Sequence, residues 1–205
     1  MTADRAGRVA GVLLAAGTSS RLGSNKLLLE LGAETVVRRA ARHALEAGLS
    51  PVIVVLGHEA PQVADALAGL PLETVVNPEY HAGMHTSLGA GIARVPAGCD
   101  AALVLLSDMP LVTPGMIAEV VARYRAGGEL VISLYGEVQA PPTLYARRLF
   151  PALAAAGPGC GRRVIRDHRS EAVEVRWPPK LLADLDLPED LKRIRALLAH
   201  PTSQR

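Results

Sequence analysis

The chain has 205 residues, enough for one full domain that buries roughly 70% of its unfolded surface. Its 49% hydrophobic and 20% charged residues describe a globular protein, and a net charge of +2 gives no electrostatic basis for binding nucleic acid or a membrane surface. Cys99 and Cys160 form no CxxC pair and no zinc spacing, and no apolar run reaches the ~18 residues of a membrane span, so the reading is of a cytoplasmic protein with reduced thiols.

Residues 1–8 read as a disordered N-terminal tail, 9–200 as a single domain and 201–205 as a frayed C-terminus. "VAGVLL" (Val9–Leu14) reads as a buried strand; the apolar run Val9–Ala16 sits at the short end of a signal-peptide core and leads into a structured-looking loop, which favours the strand. A helix over 34–48 follows, with Val36, Val37, Ala40, Ala44 and Leu45 on one face and Gly48 as its stop. A second strand covers 51–57, a short helix 60–68 and a third strand 73–77. The pattern then gives a helix over 86–95 and the most apolar strand over 101–108. Thr113 suits an N-cap and Pro114 the first turn of a helix that buries Met116, Ile117, Val120, Val121 and Tyr124. Beyond it come a strand over 129–135, a short strand and helix within 142–157, a strand over 171–177 and a closing helix over 188–200. Strands that are apolar throughout, alternating with helices, predict an α/β fold with a mainly parallel sheet covered on both faces. Ligands of such sheets bind beyond the carboxyl ends of the strands, where Gly17 and Asp108 fall.

The loop "LLAAGTSSRLGSNK" (Leu13–Lys26) matches neither the Walker A nor the dinucleotide spacing. Gly17 and Gly23 permit close backbone approach, the small residues from Thr18 to Ser20 leave N–H groups free to form an anion nest, and Arg21 and Lys26 add positive charge. By spacing alone an ordinary polar turn with two solvated cations fits equally well.

The same stretch resembles the L-A-A-G-x-S-x-R-x-G-x-x-K signature of nucleotidyltransferases that make activated cofactors and sugars. Three further segments resemble, in the same order, those of molybdenum cofactor cytidylyltransferases of the MocA type: "NPEYHAGMHTSLGAGI" (Asn77–Ile92), "LLSDMP" (Leu105–Pro110) and "DLDLPEDL" (Asp184–Leu191). The resemblance covers residues 9–198 and implies a three-layer Rossmann-like nucleotidyltransferase fold. It also implies Mg²⁺-dependent transfer of CMP from CTP to molybdenum cofactor, with a recipient molybdoenzyme as transient partner. It assigns catalysis to Lys26, Arg21 and Asp108. Nucleotide contacts fall to Leu14, Ala15, Ala16, Gly17, Thr18, Ser19, Arg21, Gly23, Lys26, Asn77, Gly83 and Ser87. Asn77 would either meet the base edge or close a turn before Pro78.

Mg²⁺ takes one or two protein carboxylates beside phosphate oxygens and water. Asp108, at the end of the most apolar strand, is the first ligand by resemblance; Asp186 is the second by its place in the motif, with Asp184 the alternative. A phosphomonoester acceptor is already ionised, so positioning and electrostatics suffice and no Ser–His or Cys–His pair is needed. The methyl of Ala16, where guanylyl-transferring relatives carry glycine, favours a pyrimidine. Ser107 in place of glycine, "VQAPPTLY" (Val138–Tyr145) and Pro158 depart from the family pattern, which leaves the acceptor less marked than the nucleotide, although Arg162 and Arg163 suit an anion. GTP, a sugar or isoprenoid phosphate acceptor, a non-catalytic cofactor carrier and an oxidoreductase acting on quinonoid pigments are the alternatives; no flavin or nicotinamide fingerprint accompanies the last.

Overall fold

The computed structural model describes residues 7–18, 25–154, 157, 159–183, 185 and 188–199. Its strands are β1 (Val9–Ala15), β2 (Glu30–Leu31), β3 (Glu34–Thr35), β4 (Val52–Leu56), β5 (Glu73–Val76), β6 (Ala101–Leu106), β7 (Leu130–Tyr135), β8 (Val138–Ala146) and β9 (Val173–Trp177). Its helices are α1 (Val36–Glu46), α2 (Ala60–Ala66), α3 (Met84–Ala93), α4 (Pro114–Arg125), α5 (Phe150–Ala154), α6 (Cys160–Asp167) and α7 (Pro188–Ala199).

Seven strands form one sheet in the order β5-β4-β1-β6-β8-β7-β9, and β2 with β3 makes a small hairpin. Every neighbouring pair in the large sheet is parallel except those of β8, which runs antiparallel to both β6 and β7. The predicted mainly parallel sheet is therefore present. β1 is buried at every position because helices cover both of its sides. On one side Val9, Leu13 and Ala15 meet the apolar faces of α1, α2, α4 and α7. On the other side Ala10, Val12 and Leu14 meet α3, α5 and α6. This alternation along one strand makes the three layers.

The α4 reading holds residue for residue: Thr113 Oγ1 accepts from Met116 N at 3.3 Å, and the five expected side chains are buried. On α1 the expected face shifts, with Ala41 and His43 buried while Ala40 and Leu45 are half-buried at its margin. The helix expected over 86–95 begins two residues earlier, at Met84, after Gly83 with φ 120°. The short strand expected within 142–157 is the nine-residue β8. Pro141 and Pro142, residues uncommon inside a sheet, lie in its middle. Ser133 Oγ and Tyr135 OH, however, donate to the carbonyls of Pro142 and Pro141 at 2.7 and 2.9 Å, bridging the register shift between β7 and β8. Arg8, assigned above to a loose tail, is tied down: its N–H donates to Asp100 Oδ2 and its Nε to Ser50 O. Residues 1–6 of that tail and the expected frayed segment 201–205 lie outside the described residues.

Candidate functional site

β1 pairs in parallel with β4 on one side and β6 on the other, so the chain leaves all three strands at the same end of the sheet. From β1 the path turns outward to β4 and β5, and returns through α3 to β6 across β1. The gap between the ends of β1 and β6 is the point where strand order reverses, the place where open α/β sheets hold ligands. A cleft of about 400 Å³ opens there.

Leu14, Ala16, Gly17, Thr18, Lys26, Gly83, Ser87 and Asp108, eight of the residues singled out in the sequence, line this cleft. Lys26 Nζ and Asp108 Oδ2 face each other at 2.6 Å, with side chains 13% and 23% exposed. Lys26 opens a 3-10 turn (Lys26–Leu28) whose cap is the buried Asn25; Asn25 Oδ1 accepts from Leu27 N at 3.1 Å. Asp108 follows Ser107, whose Oγ donates to Leu14 O at 2.7 Å while its N–H reaches the same carbonyl at 3.2 Å. The departure from glycine at 107 thus fastens the end of β6 to the end of β1, one residue before the carboxylate.

Two expected nucleotide contacts are placed elsewhere. Ala15 is buried in the core on the α1 side of the sheet, because alternation turns it away from its cleft-lining neighbours Leu14 and Ala16. Asn77 is buried, and its amide is spent inside the fold. Its Nδ2 donates to Thr86 Oγ1 at 2.8 Å and Ser87 Oγ at 3.0 Å, and its Oδ1 accepts from Glu79 N at 3.0 Å. Of the two roles left open for it, the turn-closing one matches this geometry. Ser19, Arg21, Gly23 and Asp186, with the alternative Asp184, lie outside the described residues. Between the two aspartates, Leu185 is fully buried and its N–H donates to Asp108 O at 3.1 Å. Leu185 therefore sits against the backbone of Asp108.

The cleft also has a wall formed by Tyr80, His81 and Met84, which lie inside the Asn77–Ile92 segment but were given no role there. The rings of Tyr80 and His81 touch with centroids 3.9 Å apart at a tilt of 34°, and Met84 is 62% exposed. Gly57 makes room for this wall: a Cβ there would lie 2.7 Å from Tyr80 Cγ and 2.8 Å from Ala16 Cβ. The usable signal was positional. A loop bracketed by Asn77 and Gly83 has to present the aromatic residues between them to whatever the brackets border.

Among the described residues no group of three or more His, Cys, Asp or Glu side chains could hold a metal ion. A single half-buried carboxylate, ion-paired with a lysine, fits an ion that takes few protein ligands and completes its shell with phosphate oxygens and water. Arrangements of this kind, with one anionic and one cationic group facing across a cleft, can hold a phosphate chain together with its counter-ion.

Comparison with known proteins gives the family. Residues 11–173 match the model of the MobA-like NTP transferase domain. Nicotine blue oxidoreductase of Paenarthrobacter nicotinovorans is 34% identical over 150 residues, 73% of this chain and 72% of that protein. A "Probable molybdenum cofactor guanylyltransferase" of Pelotomaculum thermopropionicum is 29% identical over 167 residues, 80% of this chain and 72% of its own. Bifunctional GlmU proteins also match; that of Anaeromyxobacter sp. (strain Fw109-5) is 36% identical over 133 residues, 61% of this chain. The chain spans about a quarter to a third of the length of such bifunctional relatives, 26% and 35% in two of them. Among solved structures, Rv0371c of Mycobacterium tuberculosis H37Rv superposes with a TM-score of 0.82 at 29% identity, covering 93% of this chain and 99% of that one. A second structure of that protein, covering 92% of this chain and 98% of its own with a TM-score of 0.77 at 26% identity, is a complex with manganese. Among the described residues no helix is long and apolar enough to cross a membrane.

Proposed function

The chain belongs to the family of MobA-like NTP transferase domains, and from that premise we propose that it transfers CMP from CTP to the terminal phosphate of molybdenum cofactor, giving molybdopterin cytosine dinucleotide and pyrophosphate. The observation that carries the reading is the Lys26–Asp108 pair at 2.6 Å across the cleft between β1 and β6. An oxygen of the acceptor phosphate attacks the α-phosphorus, the bond to the bridging oxygen breaks, and pyrophosphate leaves with the electron pair. No proton needs to be removed from an ionised phosphomonoester, so the protein's task is alignment and neutralisation of charge.

Asp108 and Asp186 would hold Mg²⁺, which supplies charge for the triphosphate and the departing pyrophosphate. The manganese complex of the mycobacterial relative supports a divalent ion in this family. Lys26 would exchange Asp108 for the α-phosphate as nucleotide enters, a compact ammonium on a flexible stem being suited to that movement. Arg21 would hold the β- and γ-phosphates, with the N–H groups around Gly17, Thr18, Ser19 and Gly23. Leu14, Ala16, Gly83 and Ser87 would border base and ribose. The Ala16 methyl, 7% exposed on the cleft, favours a pyrimidine; a difference of one carbon carries about 1–3 kcal/mol. A cytoplasmic location and a recipient molybdoenzyme complete the reading.

The test is to incubate the protein with Mg²⁺, molybdopterin and each labelled nucleotide in turn, and to measure pyrophosphate. CTP should exceed GTP, and Ala16→Gly should narrow the gap; equal use of both by the unaltered chain refutes the cytidylyl assignment. The 34% identical nicotine blue oxidoreductase favours one second reading, reduction of a quinonoid pigment. Oxidation of NADH or NADPH dependent on such a pigment, without pyrophosphate release from any nucleotide, would replace the first reading with it.

A further inference from the structure

The two arms that carry Lys26 and Asp108 are held by one helix, α1. On the Lys26 side, Leu29 caps the 3-10 turn and its carbonyl accepts from Val36 N, the first residue of α1, at 3.0 Å. The β2–β3 hairpin pairs Glu30 with Thr35 and Leu31 with Glu34 in the same short span. On the Asp108 side, two side chains of α1 grip the loop that follows the carboxylate. Arg39 Nε donates to Pro110 O at 3.3 Å. His43, 5% exposed, has Nδ1 2.7 Å from Val112 O.

A carbonyl only accepts, so His43 Nδ1 carries the hydrogen, and Nε2 is left to accept from the Arg42 guanidinium at 3.4 Å. Burial holds the imidazole pKa below its usual value, which keeps this tautomer uncharged. Glu34 locks the set. Its Oε1 accepts from Arg39 at 3.2 Å and Arg42 at 2.7 Å, its Oε2 from Arg42 Nε at 3.0 Å, and its side chain is only 16% exposed. Placing a glutamate, two arginines and an imidazole at the margin of a core otherwise made of Val36, Val37, Ala41 and Ala44 costs desolvation. Apolar residues of similar size would pack there without that cost. What the polar set adds is direction: its hydrogen bonds run from Glu34 on the hairpin through Arg39, Arg42 and His43 to the backbone two and four residues past Asp108.

We propose that Glu34, Arg39 and His43 are positioning residues that set the Asp108 carboxylate relative to Lys26 and thereby raise the divalent-cation affinity of a site to which none of the three contributes a ligand. The proposal rests on the reading of Asp108 as a metal ligand. Groups that orient a ligand without touching the metal typically contribute 10–100-fold in affinity.

The experiment is a titration with Mn²⁺ in the presence of saturating CTP, reading free Mn²⁺ by electron paramagnetic resonance, so that no turnover is needed. His43→Leu should raise the half-saturating Mn²⁺ concentration about 10-fold. His43→Asn should restore it, because its Nδ2 stands close to the position of the imidazole Nδ1 and can donate to Val112 O. CTP affinity measured without metal should stay unchanged. Glu34→Gln and Arg39→Met should move the midpoint in the same direction, and they read the proposal even where His43→Leu fails to fold. An unchanged midpoint in folded variants overturns it and makes the network a packing device. If the unaltered protein with CTP takes up no Mn²⁺, the reading of Asp108 falls, and the proposal with it. If it takes up Mn²⁺ and the variants match it, only the positioning role falls.

Discussion

Helix α3 carries two glycines two residues apart, Gly89 and Gly91, and the structure assigns them opposite fates on replacement by alanine. A Cβ at Gly91 would lie 2.4 Å from Val12 Cγ1 and 2.9 Å from Val55 Cγ2, whereas one at Gly89 meets nothing within 4 Å. Carbon atoms pack best at about 3.5–4.0 Å, so Gly91→Ala requires α3 to lift from β1 and β4 by roughly 1 Å, or a stiff valine to leave its rotamer. Overpacking a core costs about 1–3 kcal/mol, and a 2.4 Å contact with β-branched side chains on two central strands belongs at the upper end. Alanine in a helix interior returns about 1 kcal/mol relative to glycine. The net loss for Gly91→Ala is therefore about 2 kcal/mol, and Gly89→Ala gains up to about 1 kcal/mol by the same propensity. For a chain of this size each kcal/mol moves Tm by about 2–4 °C, so the two variants should melt about 6–12 °C apart, with the unaltered protein between them. Because α3 begins at Met84 and presents Ser87 to the cleft, lifting it should also raise the KM for nucleotide. Thermal unfolding followed by circular dichroism decides the point. A Gly91→Ala protein as stable as Gly89→Ala would refute the close approach of α3 to the sheet.

Asp108→Asn, nearly isosteric and partly exposed, should keep the fold and lose at least ~100-fold in rate, the scale of one strong transition-state stabiliser; near-full turnover with Mg²⁺ removes Asp108 from the site. Lys26→Ala should lower kcat more than it raises KM for CTP, and Lys26→Arg should not restore it, since a planar fork cannot occupy the same point; steady-state kinetics showing a change in KM alone would make Lys26 a binding residue only. Burial lowers the His43 pKa below 6.5, so the unfolded chain takes up protons that the folded one refuses, and stability should fall as pH drops below 6.5; His43→Asn should remove that slope from a series of Tm measurements. Hydrogen bonding from Arg42 lowers the Glu34 pKa below 4.5, so its contribution is present above pH 4.5 and is lost as pH falls through the folded value; Glu34→Gln should flatten the acid limb in that lower window, leaving the His43 window intact.

What was legible in the sequence follows from the range over which each signal acts. Thr113, Pro114 and the five buried residues of α4 were readable because capping and 3.6-residue periodicity are local, and continuous apolar strands announced a sheet covered on both faces. The motif residues at the ends of β1 and β6 were readable as candidates because parallel strands deliver their following loops to one edge. The extent of β8 was not legible: the sequence pattern began the strand only at 142, and the hydroxyls that bond the carbonyls of Pro141 and Pro142 belong to Ser133 and Tyr135 on another strand. Likewise, one residue of alternation turned Ala15 away from the cleft, and a bracket closed by Thr86 and Ser87 spent the amide of Asn77. His43 shows the limit most plainly. On a helical wheel it is a polar residue beside an apolar face, and its use depends on a carbonyl 69 positions away, at Val112. The 2.6 Å approach of Lys26 to Asp108 has the same origin. The chain itself supplied the two charges and the apolar strands that carry them, and only the assembled layers decided how far apart they stand, because separation in space between residues distant in sequence is a property of tertiary packing and not of any local pattern.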